Sequence, residues 1–438
     1  MSLPNNEHPH QPHLPIYSLL AAMALLLCGN ALLETTISYR TALLSQSASS
    51  TSMIMASYYV GFLVGGWHLP YLLRFITHRQ VFILLAIIFS SLIYALSLRH
   101  TAIAVATLQF GCGVCISGLY VAAESFINVH SNEKSRQRTF SYYMLIWYFG
   151  VGCGQLPLLS SHGFNSYFFN FSALLVLLSM LPAVFIKSRS AISTHGVGNP
   201  LPADSRALRN PCSANAIGFR QLASSFPRPF VLSIISGMFI GILFAMSPVF
   251  GELYFNSSRQ SALMIIAFVL GAGIVQLMLT QLTHHQPTRV LRVLTWSGTV
   301  CTLTALLLSF TQQLSLIKVI LLALLLGACA LPIYSLAAAW IQTIINENTR
   351  VTASALLLLC NGFGSILGPL WAGQLMHYWG STGFYLSLLT GFVITHFLLY
   401  KQHKPSTFNS AEELRLTTNQ AHSFNQVPLN TTKTAEDY

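Results

Sequence analysis

The chain has 438 residues, 53% hydrophobic and only 8% charged, with a formal net charge of +11 and a mean hydropathy of +0.59. A soluble domain carries roughly 25% charged residues, so this composition excludes a water-soluble globular protein. The open question is how many times the chain crosses a bilayer.

Residues 1–14 contain no Lys or Arg and place His8, His10 and His13 among prolines. They read as a polar tail in preference to a metal site or a cleavable leader, which would begin with a charged region. Runs of about 20 mostly apolar residues, enough to cross the hydrocarbon layer, then recur at 15–38, 52–72, 80–98, 101–127, 139–159 and 164–187. Residues 188–228 mix Pro, Ser, Asn and Arg without apolar periodicity and read as a linker. Six more runs follow at 229–253, 260–282, 288–310, 314–345, 350–376 and 381–400, and 401–438 form a polar tail. The expectation is an all-α integral membrane protein of twelve spans, divided into bundles at 15–187 and 229–400.

Charge placement orients the chain. Of the 22 Lys and Arg, only Arg40, Arg99, Arg259 and Lys318 fall on odd-numbered connections. The remainder fall on the even connections and the C-terminal tail, and basic residues concentrate on the cytoplasmic side. Both termini and the linker are therefore expected in the cytoplasm. The basic excess reports orientation and attraction to anionic lipid, with no nucleic-acid partner implied. Seven of the eight cysteines lie in predicted spans and Cys212 lies in the linker, so none is placed for an external disulfide. Cys112 and Cys115 read as small packing residues of the fourth span.

The two halves echo each other. Thr77-His78-Arg79-Gln80 recurs as Thr283-His284-His285-Gln286, and Asn132-Glu133-Lys134-Ser135-Arg136 recurs as Asn346-Glu347-Asn348-Thr349-Arg350. Phe149-Gly150-x-x-x-Gly154 in the fifth span recurs as Phe363-Gly364-x-x-x-Gly368 in the eleventh. Parallel six-helix repeats with a site at their interface are an arrangement used by secondary transporters.

A more specific resemblance rests on Tyr58-Tyr59-Val60-Gly61-Phe62-Leu63-Val64-Gly65, on Val121-Ala122-Ala123-Glu124-Ser125 with Arg136-Gln137-Arg138 and Tyr142-Tyr143-Met144, and on Gly150-Val151-Gly152-Cys153-Gly154-Gln155. These pieces resemble the YcaD-like branch of the major facilitator superfamily. The second half is similar to the superfamily more loosely, through Ser236-Gly237 to Pro248 and Gly364-Ser365-Ile366-Leu367-Gly368-Pro369. Two departures stand out. The stretch from Gly66 to Arg74 lacks the superfamily's aspartate, and Gln109 stands where an arginine often precedes the Glu-Ser pair by fifteen residues. The resemblance therefore does not carry those gating contacts, or that arginine's coupling role, over to this chain.

Candidate site residues follow from polarity inside spans. A carboxylate there costs of order 2.5 kcal/mol or more and by default marks function. Glu124 shares a helix face with Gly113, Ser117 and Tyr120, spaced 4, 3 and 4 apart. It either couples protons or orients a solute, or it pairs with Arg136 or Arg138. Asn30 and Glu34 lie one turn apart in the first span, where Glu34 either binds a cation or proton or pairs with Arg40. Glu252 reads as a solvated helix-end charge. Tyr58, Tyr59, Tyr142, Tyr143, Trp147 and Tyr148 supply aromatic surface with polar handles, and Gln155 and Asn361 are amides that must find partners. Arg74, Arg136, Arg138 and Arg350 are candidates for the cytoplasmic gate.

The resemblance implies a transporter that moves a small solute by alternating access, and the carboxylates inside spans lead to an expectation of proton coupling, with efflux or uptake left open. It is expected to sit as a monomer in a bacterial inner membrane, without cofactor or catalytic residues. No Gly-x-x-x-x-Gly-Lys-Ser/Thr loop is present to drive it with ATP. Two other readings remain: a sensor or scaffold on a transporter fold, and a membrane-embedded lipid enzyme.

Overall fold

The computed structural model describes residues 13–45, 47–69, 76–130, 133–160, 165–184, 222–282, 287–310, 315–345 and 347–400, with side chains at 13–16, 45, 128–141, 280–282 and 346–352 outside the description. Arg74 and the side chains of Arg136, Arg138 and Arg350 thus lie outside the described residues, as does most of the linker. Among the described residues the regular structure is helical throughout. The helices of the first half are α1 (His13–Ser45), α2 (Ala48–His68), α3 (His78–Leu98), α4 (Ala102–His130), α5 (Glu133–Cys153) and α6 (Tyr167–Val184). Those of the second half are α7 (Pro227–Phe255), α8 (Ser258–Leu282), α9 (Pro287–Phe310), α10 (Leu316–Gln342), α11 (Glu347–Trp379) and α12 (Thr382–Tyr400). The compact unit runs through His396.

Ten of these helices are long and apolar enough to cross a membrane, and α2 and α5 complete the twelve. The two exceptions have a local cause. α2 opens through Ser49, Ser50, Thr51 and Ser52, and α5 opens through Glu133, Lys134, Arg136 and Arg138. Hydropathy places the second span four residues too late for the same reason. The Ser47 side chain caps α2 by accepting from the Ser50 N–H, so the helix starts inside a stretch whose polarity suggests a loop.

Prolines set the internal breaks. α7 contains a π-helical segment, Ile242–Met246, just before Pro248. A proline lacks the N–H and crowds the carbonyl four residues back, which widens the helix locally. The long tenth span is two helices, Leu316–Ala330 and Ile333–Gln342, interrupted at Leu331 and Pro332. The first sequence echo also acquires a meaning. Thr77 and Gln80 form a capping box at the start of α3, while its counterpart at 283–286 lies outside the described residues.

The halves pack alike. In the first, α2 lies on α4 while α1 lies on α5 and α6; in the second, α8 lies on α10 and α7 on α11. Small residues permit the close approach. A Cβ on Gly61 of α2 would strike the Phe110 carbonyl of α4, and one on Gly271 of α8 would strike the Leu324 carbonyl of α10. The Gly154 and Gly368 echo works the same way, against Cys28 of α1 and Met238 of α7. Such small-residue contacts replace the hydrophobic effect as the main source of helix association in lipid.

Between halves, α2 meets α11, α1 meets α7 and α5 meets α8. Joining hydrogen bonds gather at the end carrying the odd-numbered connections. Ser38 Oγ donates to the Ala245 carbonyl at 2.5 Å, and Gln374 Nε2 donates to Ser49 Oγ at 2.9 Å. Leu32, Leu158, Phe168 and Ala262 close an apolar cluster at the same end, drawn from both halves.

Candidate functional site

Helix α1 carries Asn30 and Glu34 into the interior, one turn apart on the same face. The Glu34 side chain is buried at 8% exposure, and neither carboxylate oxygen has a hydrogen-bond partner. Gln109 of α4 comes near enough to influence it. Gln109 is itself fully buried, however, and neither its Oε1 nor its Nε2 closes a hydrogen bond. Two buried polar groups thus face each other unsatisfied, an uncommon and costly arrangement in a folded interior.

Aromatic side chains surround this pair. Tyr58 donates to Asn30 Oδ1 at 3.0 Å and meets Tyr59 edge-on, ring centroids 5.3 Å apart. Tyr58, Tyr59 and Tyr120 all lie within electrostatic reach of Glu34. Tyr120 accepts a hydrogen bond from the Trp147 indole N–H and packs edge-on against Phe62 at 5.8 Å. Trp147 then contacts Phe244, in the π segment of α7, at 5.8 Å. The cluster therefore reaches from α1, α2, α4 and α5 into the second half.

Glu124 sits one turn beyond Tyr120 on α4. Tyr143 of α5 donates a hydrogen bond to it, and Tyr334 of α10 is within its electrostatic reach. Its pairing with Arg136 or Arg138 falls outside the described residues. Tyr120 lies between the two carboxylates and feels both.

Several expected residues stand elsewhere. Gln155 is buried in helix packing, accepting from Thr35 Oγ1 at 2.9 Å and donating to the Ala31 carbonyl at 3.3 Å. Asn361 donates to the Ser233 carbonyl at 3.3 Å and holds α11 to α7. Ser117 packs against Gly65 and Gly66 of α2. The Glu34–Arg40 pair does not form. Six residues on a helix place them well apart in azimuth, and Arg40 donates instead to the Leu96 carbonyl at 2.8 Å while lying over the Phe169 ring at 4.6 Å. Glu252 is not a solvated helix end, since the Tyr39 hydroxyl donates to it across the α1–α7 contact and its Oε2 is buried.

Gln109 and Phe244 join the cluster without being among the residues that polarity inside spans singles out. Gln109 had a signal, because it replaces the arginine the resemblance led one to expect. Phe244 had none, since its inward position depends on the π segment.

Twelve helices in two alike halves, meeting around buried, unsatisfied polar groups, define a membrane transporter of the two-bundle type. The Major Facilitator Superfamily model matches residues 19–322 and 290–432, and the chain belongs to that family. It is 22% identical over 378 residues to an uncharacterized MFS-type transporter, YcaD, of Salmonella arizonae, covering 85% of this chain and 92% of the relative. The YcaD of Salmonella newport is 22% identical over 366 residues, covering 83% and 89%. Among solved structures, the nucleoside transporter NupG matches with a TM-score of 0.66 at 15% identity, covering 88% of this chain and 97% of that one. A bacterial homolog of the human lysosomal transporter Spinster, inward-facing and unoccupied, matches at 0.63 and 13% identity, covering 90% and 95%. At these identities the solved structures speak to fold alone.

Proposed function

We propose that the chain is a secondary active transporter that moves a small solute by alternating access, exchanging it against protons at Glu34 and Glu124. The observation that carries this reading is the buried Glu34 carboxylate with no hydrogen-bond partner on either oxygen. An ionised carboxylate left so is costly in a low-dielectric interior, and either a proton or a charged solute removes the cost. Competition of two ligands for one charge is what exchange requires. Bundles at 15–187 and 229–400 would rock about the cluster, with the linker 188–228 and both termini in the cytoplasm and the monomer as the working unit. The inter-half hydrogen bonds at the odd-connection end support a state closed on the outer side.

The test is counterflow in proteoliposomes holding the purified full chain, after a solute screen comparing cells with and without it. Glu124→Gln should keep the protein folded and inserted, abolish pH-driven uptake and spare solute exchange, because the amide keeps the shape but carries no proton. Loss of folding in both Glu124→Gln and Arg136→Ala would instead make Glu124 a structural ion-pair partner.

A further inference from the structure

Resting on the transporter reading above, we infer that the site around Glu34 takes an organic cation, an ammonium or phosphonium group carried on an apolar or aromatic body. Charge is the first reason. Glu34 has no cationic partner among the described residues. The nearest in sequence, Arg40, is 2% exposed and held by Leu96 and the Phe169 ring. Arg79, Arg99, Arg259, Arg289, Arg292 and Lys318 are exposed, and Arg228 is half-buried in the first turn of α7. An anion brought beside this carboxylate would meet repulsion in a medium that screens it poorly.

The walls are the second reason. Tyr58, Tyr59 and Tyr120 lie within electrostatic reach of Glu34, with Trp147 beside Tyr120, and cations bind aromatic faces through the ring quadrupole, more strongly when desolvated. A strongly polar neutral solute, such as a sugar or nucleoside, needs many free hydrogen-bonding groups. Here Gln155 is engaged by Thr35 and Ala31, Asn361 by Ser233, and the Asn30 amide oxygen by Tyr58. Of the fully buried polar groups in the described part of the cluster, Glu34 and Gln109 are left without a partner. A bare metal cation fits poorly too, because these two side chains supply three oxygens and hard cations want about six or more.

The chemistry is binding, with no bond made or broken. The cation's charge sits against Glu34, its body lies among the rings, and the Gln109 carbonyl can point at the same charge.

The experiment measures ligand-induced thermal stabilisation and radioligand binding on the full chain in nanodiscs. The probes are tetramethylammonium, benzyltrimethylammonium and tetraphenylphosphonium, against tetraphenylborate, which has the phosphonium's shape and the opposite sign, uridine and sodium chloride. The expected result is saturable binding of at least one of the three cations and none of the borate or uridine. Affinity should fall at least about tenfold in Glu34→Gln and hold in Glu252→Gln, whose carboxylate lies outside the cluster. Glu34→Asp, which keeps the charge, should retain part of the affinity and guards against a folding defect. Borate or uridine binding as well as the cations, no cation binding, or cation binding unchanged in Glu34→Gln would overturn the inference. Counterflow of some other solute without cation binding would sink the cation class and leave transport standing. Cation binding without any solute crossing would do the reverse.

Discussion

Ser38 of α1 donates its hydroxyl to the carbonyl of Ala245, inside the π segment of α7, at 2.5 Å. A π turn disturbs the regular backbone ladder, and here a side chain from the other half of the molecule occupies the carbonyl. The bond lies one helical turn from Glu34. It therefore ties the closure of the odd-connection end to the helix that carries the candidate site.

Ser38→Ala should loosen that closure. Losing one hydrogen bond of about 1 kcal/mol shifts a closed-to-open ratio by roughly fivefold. A cysteine at Thr35, in a background without native cysteines, should then react faster with a membrane-impermeant thiol reagent added on the odd-connection side. An unchanged rate in Ser38→Ala would mean that the bond does not hold this end shut.

The matched glycines make a second prediction. A side chain at Gly61 or Gly271 runs into backbone of the adjacent helix, whereas one at Gly152 or Gly273 meets nothing within 4 Å. Gly61→Val and Gly271→Val should each lower the melting temperature or abolish accumulation, an overpacking cost of about 1–3 kcal/mol or more. Gly152→Ala and Gly273→Ala should be neutral or stabilising by up to about 1 kcal/mol, from helix propensity. Equal effects at all four positions in a thermal-stability assay would count against the helix pairing.

Gln155 separates structure from function. Its amide bridges Thr35 and the Ala31 carbonyl, so Gln155→Leu should cost about 1–3 kcal/mol through the groups left unpaired. Protein that still folds should exchange solute at near wild-type affinity. A variant of normal stability whose solute affinity has collapsed would return Gln155 to the site.

Much of the fold is legible in the sequence because hydrophobic runs and small-residue echoes report on span length and on helix packing directly. Boundaries fail where local chemistry outweighs hydropathy, as at the serine-rich start of α2 and at Pro332 in α10. The site is legible only in part. Glu34, Tyr58, Tyr120 and Trp147 do meet, since polar and aromatic residues inside spans have few places to go. Gln155 and Asn361 look the same in sequence, yet their partners are the Thr35 hydroxyl and backbone carbonyls on adjacent helices, which no spacing reveals. Arg40 likewise seems placed to pair with Glu34, until the helix turns it toward Leu96 and Phe169.

Alternating access predicts that the odd-connection end opens. Spin labels at Leu44 of α1 and Leu253 of α7, both exposed near that end, report the separation of the halves directly by pulsed electron resonance. In nanodiscs the distance distribution should hold a short and a longer population, and Glu34→Gln or a change of pH should shift the balance between them. A single short distance, unmoved by pH, by Glu34→Gln and by solute, would contradict transport by rocking bundles.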